Sequence, residues 1–595
     1  MGKAHNHLKK MSKTNTIQEK KENRKVVFGI NCTGYYSSAC LVLDGEIKYA
    51  INEERLTRIK YDRSFPINAI KYCCASAGID LDDITDIFIS WNPRFYIHRP
   101  SSIYRQAMEN RGLISHLALN ELASLHDPGK KIDPPVTEII HKVKTVSSSW
   151  DIHFVDHHNA HLGNAYFQSG FDDCDFFLSD GFGEVASGVV GSIKSDNINE
   201  FAWHRSPHSL GLVYSTFTEY IGFKRNSDEW KVMALSAMGD AEKYYDVIRK
   251  MIKVDGIKYE VDLSFFEFYM YYTNQYFSPK LIELFGPPLE KGDEVGPREC
   301  ELVAAVQKAV EDVTFELLSN LYKKTGNKKL VLGGGFFMNS VLNGKILEKT
   351  PYEEVFIGGS PGDSGNCTGS SLYGWKYVLG KPLSMGQAKH NYFGRKYTDE
   401  EIKNELNRRK IRFTRVDKPA YEAAKLIQQK KIIGWFQGAS EFGERALGNR
   451  SILANPTFSD MKDLVNSSVK YREGFRPFAP AVLKEKTCDL FEIGEGQVSY
   501  FMEKVFRFKK DWQEKVPSVT HTDGTGRLQT VEKETNPLFH ELISEFYKLS
   551  TCPVVLNTSF NINGMPLVES PADAINCFYK SGLDVLIISD FMVEK

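Results

Sequence analysis

ELVAAVQKAVEDVTFELLSNLYKKTGNKKLVLGGG, residues 301–335, decides the fold. Apolar side chains recur at Leu302, Val303, Val306, Val310, Val313, Leu317, Leu318 and Leu321, a three-and-four spacing that predicts an amphipathic helix over 301–324. The helix runs into Leu330–Leu332, a short apolar run that reads as a buried strand, and then into three glycines. Upstream, VVFGIN (26–31), CLVL (40–43) with an Asp-Gly turn after it, and IKYAIN (47–52) read as a hairpin sheet. IFISWN (87–92) and FFLSDG (176–181) are further strands. Downstream, 432–436, 554–556 and 585–588 read as strands among helices, with the apolar stretch Leu583–Val593 taken as one buried strand. Strands alternating with helices, and ligand-type loops after strands, predict an α/β fold.

The pattern breaks at GKPLSMGQAKHNYFG (380–394), which is loop-like, before KYTDEEIKNELNRR (396–409) opens a new helix with a Thr cap. A boundary near 390 therefore predicts two domains, 26–390 and 391–595, after a disordered basic tail over 1–25. No internal repeat shows in the sequence. The length of 595 residues itself exceeds one ordinary core.

Composition excludes several function classes. With 75 Lys+Arg against 76 Asp+Glu the net charge is -1, which gives no electrostatic reason for nucleic acid or an anionic membrane as partner. No window approaches the roughly eighteen apolar residues of a membrane span, and the polar first segment is no secretory signal. Ten cysteines without any Cys-x-x-Cys pair fit reduced thiols in a cytoplasmic protein.

Three constellations carry chemistry. In VDHHNAH (155–161), His157 and His161 stand four apart, on one face of a helix. Asp180 closes an apolar strand before Gly-Phe-Gly-Glu, and Asp363 lies in SPGDSGN (360–366). Padding by the His pair and turn formation by the aspartates is the plainer account of each alone. Together, two His with two glycine-flanked Asp suit a first-row transition metal. In LVLGGGFFMNSVLNG (330–344), Gly333, Gly334 and Gly335 let backbone amides approach phosphate, although a bare glycine turn is weak and no P-loop follows. In EFGERALGNRSIL (441–453) and VKYREGFRPFAPAVL (469–483), Arg445, Arg450, Lys470, Arg472 and Arg476 cluster beside glycines and prolines. Surface salt bridges are the alternative, but the apolar setting of Arg476 favours a partly buried anion site. THTDGTGRLQTV (520–531) adds His521, Asp523 and Arg527, and VVLNTSFNINGMP (554–566) adds Asn557, Thr558 and Ser559.

In this order, and over nearly the whole chain after the tail, these motifs resemble the antibiotic and nodulation-factor O-carbamoyltransferases of the NodU, CmcH and tobramycin carbamoyltransferase types. NEERLTRIKYDRSFP, DGFGE, EWKVMAL, ETNP and LNTSFN extend the match. The resemblance implies an actin-like ATPase (ASKHA) N-terminal domain, similar to tRNA threonylcarbamoyl transferases, and a YrdC-like α/β C-terminal domain. The second domain would form a carbamoyl-adenylate from ATP and carbamoyl phosphate, and the first would transfer the carbamoyl group to a hydroxyl of a sugar or natural product. Carried over, His157, His161, Asp180 and Asp363 hold Fe(II) or another divalent transition metal, and His157, His161, Asp180 and Arg445 are catalytic. Gly333, Gly334, Gly335, Asn339, Arg450, Lys470, Arg472, Arg476, His521, Arg527, Asn557 and Ser559 bind ATP or the donor, Mg(II) being an allowed companion. The implied partners are carbamoyl phosphate and a small hydroxyl acceptor, with a homodimer as an allowed assembly and neither nucleic acid nor membrane.

The chain also departs from the family's pattern. Tyr35 and Tyr36 stand where a His-Asp pair is usual, and a phenol with a pKa of about 10 is a poor base at neutral pH. Ala439 replaces an Arg, Tyr471 a His and Asn563 an Arg, which is expected to weaken phosphate binding by about 1.5–3 kcal/mol per lost charged hydrogen bond. An ATPase or phosphotransferase of the actin-like superfamily, or a non-catalytic nucleotide-binding scaffold, are the competing functions. The loop-rich, aromatic segment Pro93–Pro135 is the expected place of the acceptor.

Overall fold

The computed structural model describes residues 25–32, 36–92, 150–269, 274–383 and 386–595. The basic tail up to residue 24, Tyr35 and the expected acceptor segment Pro93–Pro135 lie outside the described residues.

Two five-stranded sheets share one topology. The first contains β1 (Val26–Asn31), β2 (Ser38–Leu43), β3 (Glu46–Asn52), β4 (Asp86–Ile89) and β5 (Asp151–Phe154), in the order β3-β2-β1-β4-β5. An antiparallel meander of three strands comes first, and β4 then adds parallel to β1 and β5 parallel to β4. The second contains β6 (Cys174–Ser179), β7 (Ala186–Lys194) and β8 (Asn197–Arg205), then, after the hairpin β9 (Ile252–Asp255) and β10 (Lys258–Val261), β11 (Lys329–Gly333) and β12 (Glu354–Ile357). Its meander is β6-β7-β8, with β11 parallel to β6 and β12 parallel to β11. This duplicated unit is the actin-like architecture. It corrects the expectation of no internal repeat, because a repeat of strand order needs only matching burial patterns, not matching residues.

Five helices matter for the site: α1 (His157–Ser169), α2 (Glu229–Leu235), α3 (Pro297–Thr325), α4 (Ser340–Lys349) and α5 (Asn366–Tyr373). The helix expected over 301–324 is α3, started by Pro297 and closed by Gly326, whose left-handed φ of 71° lets its amide reach Tyr322 O. All eight apolar positions read from its spacing are buried.

Helices α1 and α5 touch backbone to backbone. A Cβ on Gly369 would lie 1.7 Å from Ala160 O, and one on Gly163 would lie 2.4 Å from Gly369 O. That contact fixes the start of α1 against the start of α5.

The remaining chain builds a nine-stranded mixed sheet: β13 (Thr414–Arg415), β14 (Ile433–Phe436), β15 (Arg450–Ala454), β16 (Ala479–Leu483), β17 (Lys504–Arg507), β18 (Thr525–Val531), β19 (Val554–Ser559), β20 (Val585–Ile588) and β21 (Phe591–Glu594). The stretch 583–593 read as one strand is a hairpin, β20 and β21 pairing antiparallel around Ser589 at φ 49°. The helix expected after residue 396 runs Asp399–Arg408, and Thr398 accepts from the Glu401 amide as its cap.

The nine-stranded sheet docks on the first two through several backbone-level contacts. Gly344 of α4 meets β17, where a Cβ would fall 1.9 Å from Val505 O. Arg55 Nη2 donates to Gly443 O at 2.6 Å, and Arg58 donates to Leu567 O at 2.8 Å and to Pro566 O at 2.9 Å.

Candidate functional site

The first two turns of α1 carry His157 and His161, both 0 % exposed. The Glu184 carboxylate accepts from the His157 amide at 2.8 Å and so satisfies one orphan donor at the helix start. Trp91 packs edge-on against the His157 ring, 4.9 Å between centroids. Asp180 follows the last residue of β6, and Asp363 opens the single helical turn before α5. Thus one strand end and two helix starts, locked by the Gly163–Gly369 contact, converge on one point.

The four side chains meet there. His161 Nε2 lies 2.8 Å from Asp180 Oδ2 and 3.1 Å from His157 Nε2, and Asp363 Oδ1 lies 3.6 Å from both rings. The donor atoms all fall within 4.8 Å of one another. Burial opposes a charged His161, but the hydrogen bonds and charge of Asp180 and Asp363 override it and raise its pKa to about 9. Asp180, half-buried at the cavity, is held well below the usual carboxylate range by the two imidazoles, which outweigh its desolvation. Two ring nitrogens facing each other across two carboxylate oxygens are satisfied together by a cation at their centre, and an N₂O₂ donor set suits a divalent transition metal. The residues fit the group that the sequence implies.

Above this cluster opens a cavity of about 2340 Å³, walled by both the paired sheets and the nine-stranded sheet. Among the described residues its lining holds sixteen Lys and Arg against ten Asp and Glu, so a chain with a net charge of -1 encloses a basic chamber. Asp180, Gly335, Asn339, Asp363, Arg445, Lys470, Arg472, Arg476, His521, Arg527, Asn557 and Ser559 all line it.

The basic residues differ in what they leave free. Arg445 donates no hydrogen bond among the described residues, and its neighbours are Glu444, Tyr36 and Tyr61. Arg527 uses only Nε, on Met502 O at 2.7 Å; burial, and then Arg445 beside it, lowers its pKa. Two adjacent guanidiniums with unused donors form a pair that could hold an anion. Arg472 and Arg476 form a second one. Arg476 keeps Nε buried and unpartnered, while Arg472 gives Nε to Asn466 at 2.7 Å.

Two predicted anion ligands are otherwise employed. Lys470 Nζ lies within 3.1 Å of four oxygens, the carbonyls and side chains of Ser559 and Asn561, which more than use its three protons. It braces the 559–561 loop instead of meeting an anion. Arg450 does not line the cavity; it sits fully buried on β15, bonded to Gln437 O at 2.5 Å and stacked 3.6 Å over Phe436. The strand that carries it points the side chain into the core.

The glycine run is also shared out. Gly333 ends β11, and Gly334 at φ 96° passes where a Cβ would lie 2.1 Å from Ser179 O. Only Gly335 lines the cavity, its Cβ position 2.9 Å from Asp180 Oδ1. Asn339 caps α4 through the Leu342 amide at 3.1 Å and exchanges two hydrogen bonds with Gln307. Burial lowers the His521 pKa to about 4 and keeps the ring neutral, and its Nδ1 meets Thr525 Oγ1 at 3.0 Å.

The departures fall in distinct places. Burial, then Tyr61, Glu444 and Glu54, push the Tyr36 phenol far above its ordinary pKa, which removes it as a base. Tyr471, at φ 48°, is 54 % exposed; Asn563 lines the cavity and donates to Tyr471 O at 3.3 Å. Ala439 is not in the lining. Sequence reasoning missed the cavity residues Glu444 and Trp230, whose contacts with Ser364 and Arg476 cross long stretches of chain, and Lys60.

Comparison with known proteins covers both halves. Residues 26–372 match the family model described as carbamoyltransferase N-terminus, and 424–595 match carbamoyltransferase C-terminus. Nodulation protein NolNO of Sinorhizobium fredii is 33 % identical over 94 % of this chain and 78 % of its own. Nodulation protein NolO of Bradyrhizobium diazoefficiens is 34 % identical over 74 % of this chain and 79 % of its own. An uncharacterized protein of Synechocystis is 34 % identical over 96 % of both chains. Among solved structures, full-length HypF in its phosphate- and nucleotide-bound form is 15 % identical with a TM-score of 0.29, over 60 % of this chain and 47 % of its own. An overlap that slight decides nothing about chemistry.

Proposed function

The chain belongs to the carbamoyltransferase family, and from that premise we propose that it uses water to open carbamoyl phosphate to carbamate and orthophosphate, lets the carbamate displace pyrophosphate from ATP to give a carbamoyl-adenylate, and transfers the carbamoyl group to a hydroxyl of a sugar or natural product as AMP leaves. Residues 26–390 then make the transferring half and 391–595 the activating half. The observation that carries this reading is one basic cavity lined both by Asp180 and Asp363 of the cluster and by the arginines of the other half. A reactive mixed anhydride made at one wall reaches the other without crossing bulk water.

Each group has a task in this scheme. Arg472 and Arg476 hold the donor's phosphate, and Arg445 with Arg527 neutralises the nucleotide phosphate, each as a charge-assisted donor. His157, His161, Asp180 and Asp363 would hold a divalent transition metal, which when bound offsets negative charge on the departing AMP phosphate. Lys470 keeps the Ser559 and Asn561 loop in place, and neutral His521 presents Nε2 without a protein partner. No helix among the described residues is long and apolar enough to cross a membrane.

Incubation with ATP and carbamoyl phosphate tests the reading. It predicts pyrophosphate and AMP that depend on carbamoyl phosphate. ADP as the product would make the chain a phosphotransferase or ATPase, and tight nucleotide binding without turnover would make it a scaffold.

A further inference from the structure

One wall of the cavity is not built by a single half. Arg476 belongs to the loop before β16, yet its guanidinium carbon lies over the indole of Trp230, on α2 of the other half, 3.7 Å from the ring centroid. The indole cannot swing away freely, because its N–H donates to Ser227 O at 3.1 Å. One position along, Lys231 Nζ reaches Glu473 Oε1 at 2.9 Å, and Glu473 Oε2 lies 3.4 Å from Arg476 Nη1. Asp228 ends the series at 3.4 Å from Lys231. The chain of contacts therefore runs Trp230, Arg476, Glu473, Lys231, Asp228, and crosses between the halves twice.

The charges explain why this matters for ligand binding. Arg472 and Arg476 repel each other, and neither has a strong carboxylate partner: Glu473 is at 3.4 Å from Arg476, and Arg476 Nε is buried with no acceptor. A stacked aromatic face stabilises a guanidinium without using any of its N–H donors. A close carboxylate would have taken the donors that an anion needs. The stacking thus orients Arg476 while leaving its fork open, and Lys231 draws Glu473 partly away from it.

We propose that Trp230 and Lys231 are positioning residues for the anion-binding guanidinium of Arg476, so that the site for the donor's phosphate is complete only when α2 of the N-terminal half clasps the Arg472–Arg476 loop. This rests on the reading of Arg472 and Arg476 as the donor's anion site.

Titration calorimetry of the full chain with inorganic phosphate and with carbamoyl phosphate tests it. Trp230→Leu, which keeps apolar bulk but has no π face, is expected to weaken both by about tenfold, equivalent to about 1.4 kcal/mol. Trp230→Phe recovers most of that loss. In pyrophosphate release the KM for carbamoyl phosphate rises, while kcat and the KM for ATP stay as in the wild type. Wild-type affinity in Trp230→Leu, or equal impairment in Trp230→Phe and Trp230→Leu, overturns the proposal. If Trp230→Leu does not fold, Lys231→Met carries the test, with about a threefold loss expected and an unchanged affinity overturning it. Arg476→Ala separates the two levels: wild-type phosphate affinity there sinks the anion-site reading and this proposal together, whereas a loss there with none in Trp230→Leu sinks this proposal alone.

Discussion

The His–Asp cluster and the arginine wall share one cavity but are built on opposite principles. The cluster is compact: four ligands come from one strand end and two helix starts that are locked by glycine contacts too tight for any side chain. The wall is dispersed over two loops and β18, and its useful groups are guanidiniums with donors to spare, Arg445, Arg527 and Arg476. A rigid site suits an ion that demands fixed geometry. A wall of free donors suits phosphates that arrive and leave.

Breaking the rigid side has the largest effect. Gly369→Ala drives a methyl into the Ala160 carbonyl and is expected to cost about 4 kcal/mol or more, read by urea denaturation, with loss of metal in what remains folded. On the open side, Arg445→Ala is expected to leave stability unchanged and to weaken nucleotide binding by about 10- to 150-fold, the worth of about 1.5–3 kcal/mol for a charged hydrogen bond. The two sides also differ in pH response. Because the carboxylates hold a proton on His161 up to a pKa of about 9, metal must displace it. Metal affinity therefore rises about tenfold per pH unit between pH 6 and 8, whereas phosphate binding by arginines does not follow that slope. The smallest effect belongs to Tyr36→Phe. With its phenol buried and its pKa raised, loss of the hydroxyl should change the transfer rate by less than about twofold, and a large loss of the basic limb in the pH profile would restore Tyr36 as a base.

The same contrast explains what was legible in the sequence. The cluster could be read because two of its ligands are four apart on a helix and the other two sit in glycine-bounded loops after strands, all of them short-range signals. α3 was legible for the same reason. The wall could be read only as a region. Chain proximity put Arg445, Arg450, Lys470, Arg472 and Arg476 in one group, but burial on β15 removes Arg450 from the cavity and four oxygens saturate Lys470. Which side of a strand a residue faces depends on register, and register depends on partners far away in the chain. The clasp of Trp230 and Lys231 on the Arg472–Arg476 loop joins residues more than two hundred positions apart and left no local trace. The duplicated five-stranded unit was invisible because its two copies share strand order, not residues.

In the proposed scheme activation belongs to the arginine-bearing half and transfer to the His–Asp cluster, a division that His161→Ala tests most directly. In the folded variant, stripped of metal, ATP and carbamoyl phosphate should still yield pyrophosphate and a carbamoyl-adenylate detectable by mass spectrometry, with no transfer onward. Equal loss of pyrophosphate release and transfer in a folded His161→Ala protein would contradict it.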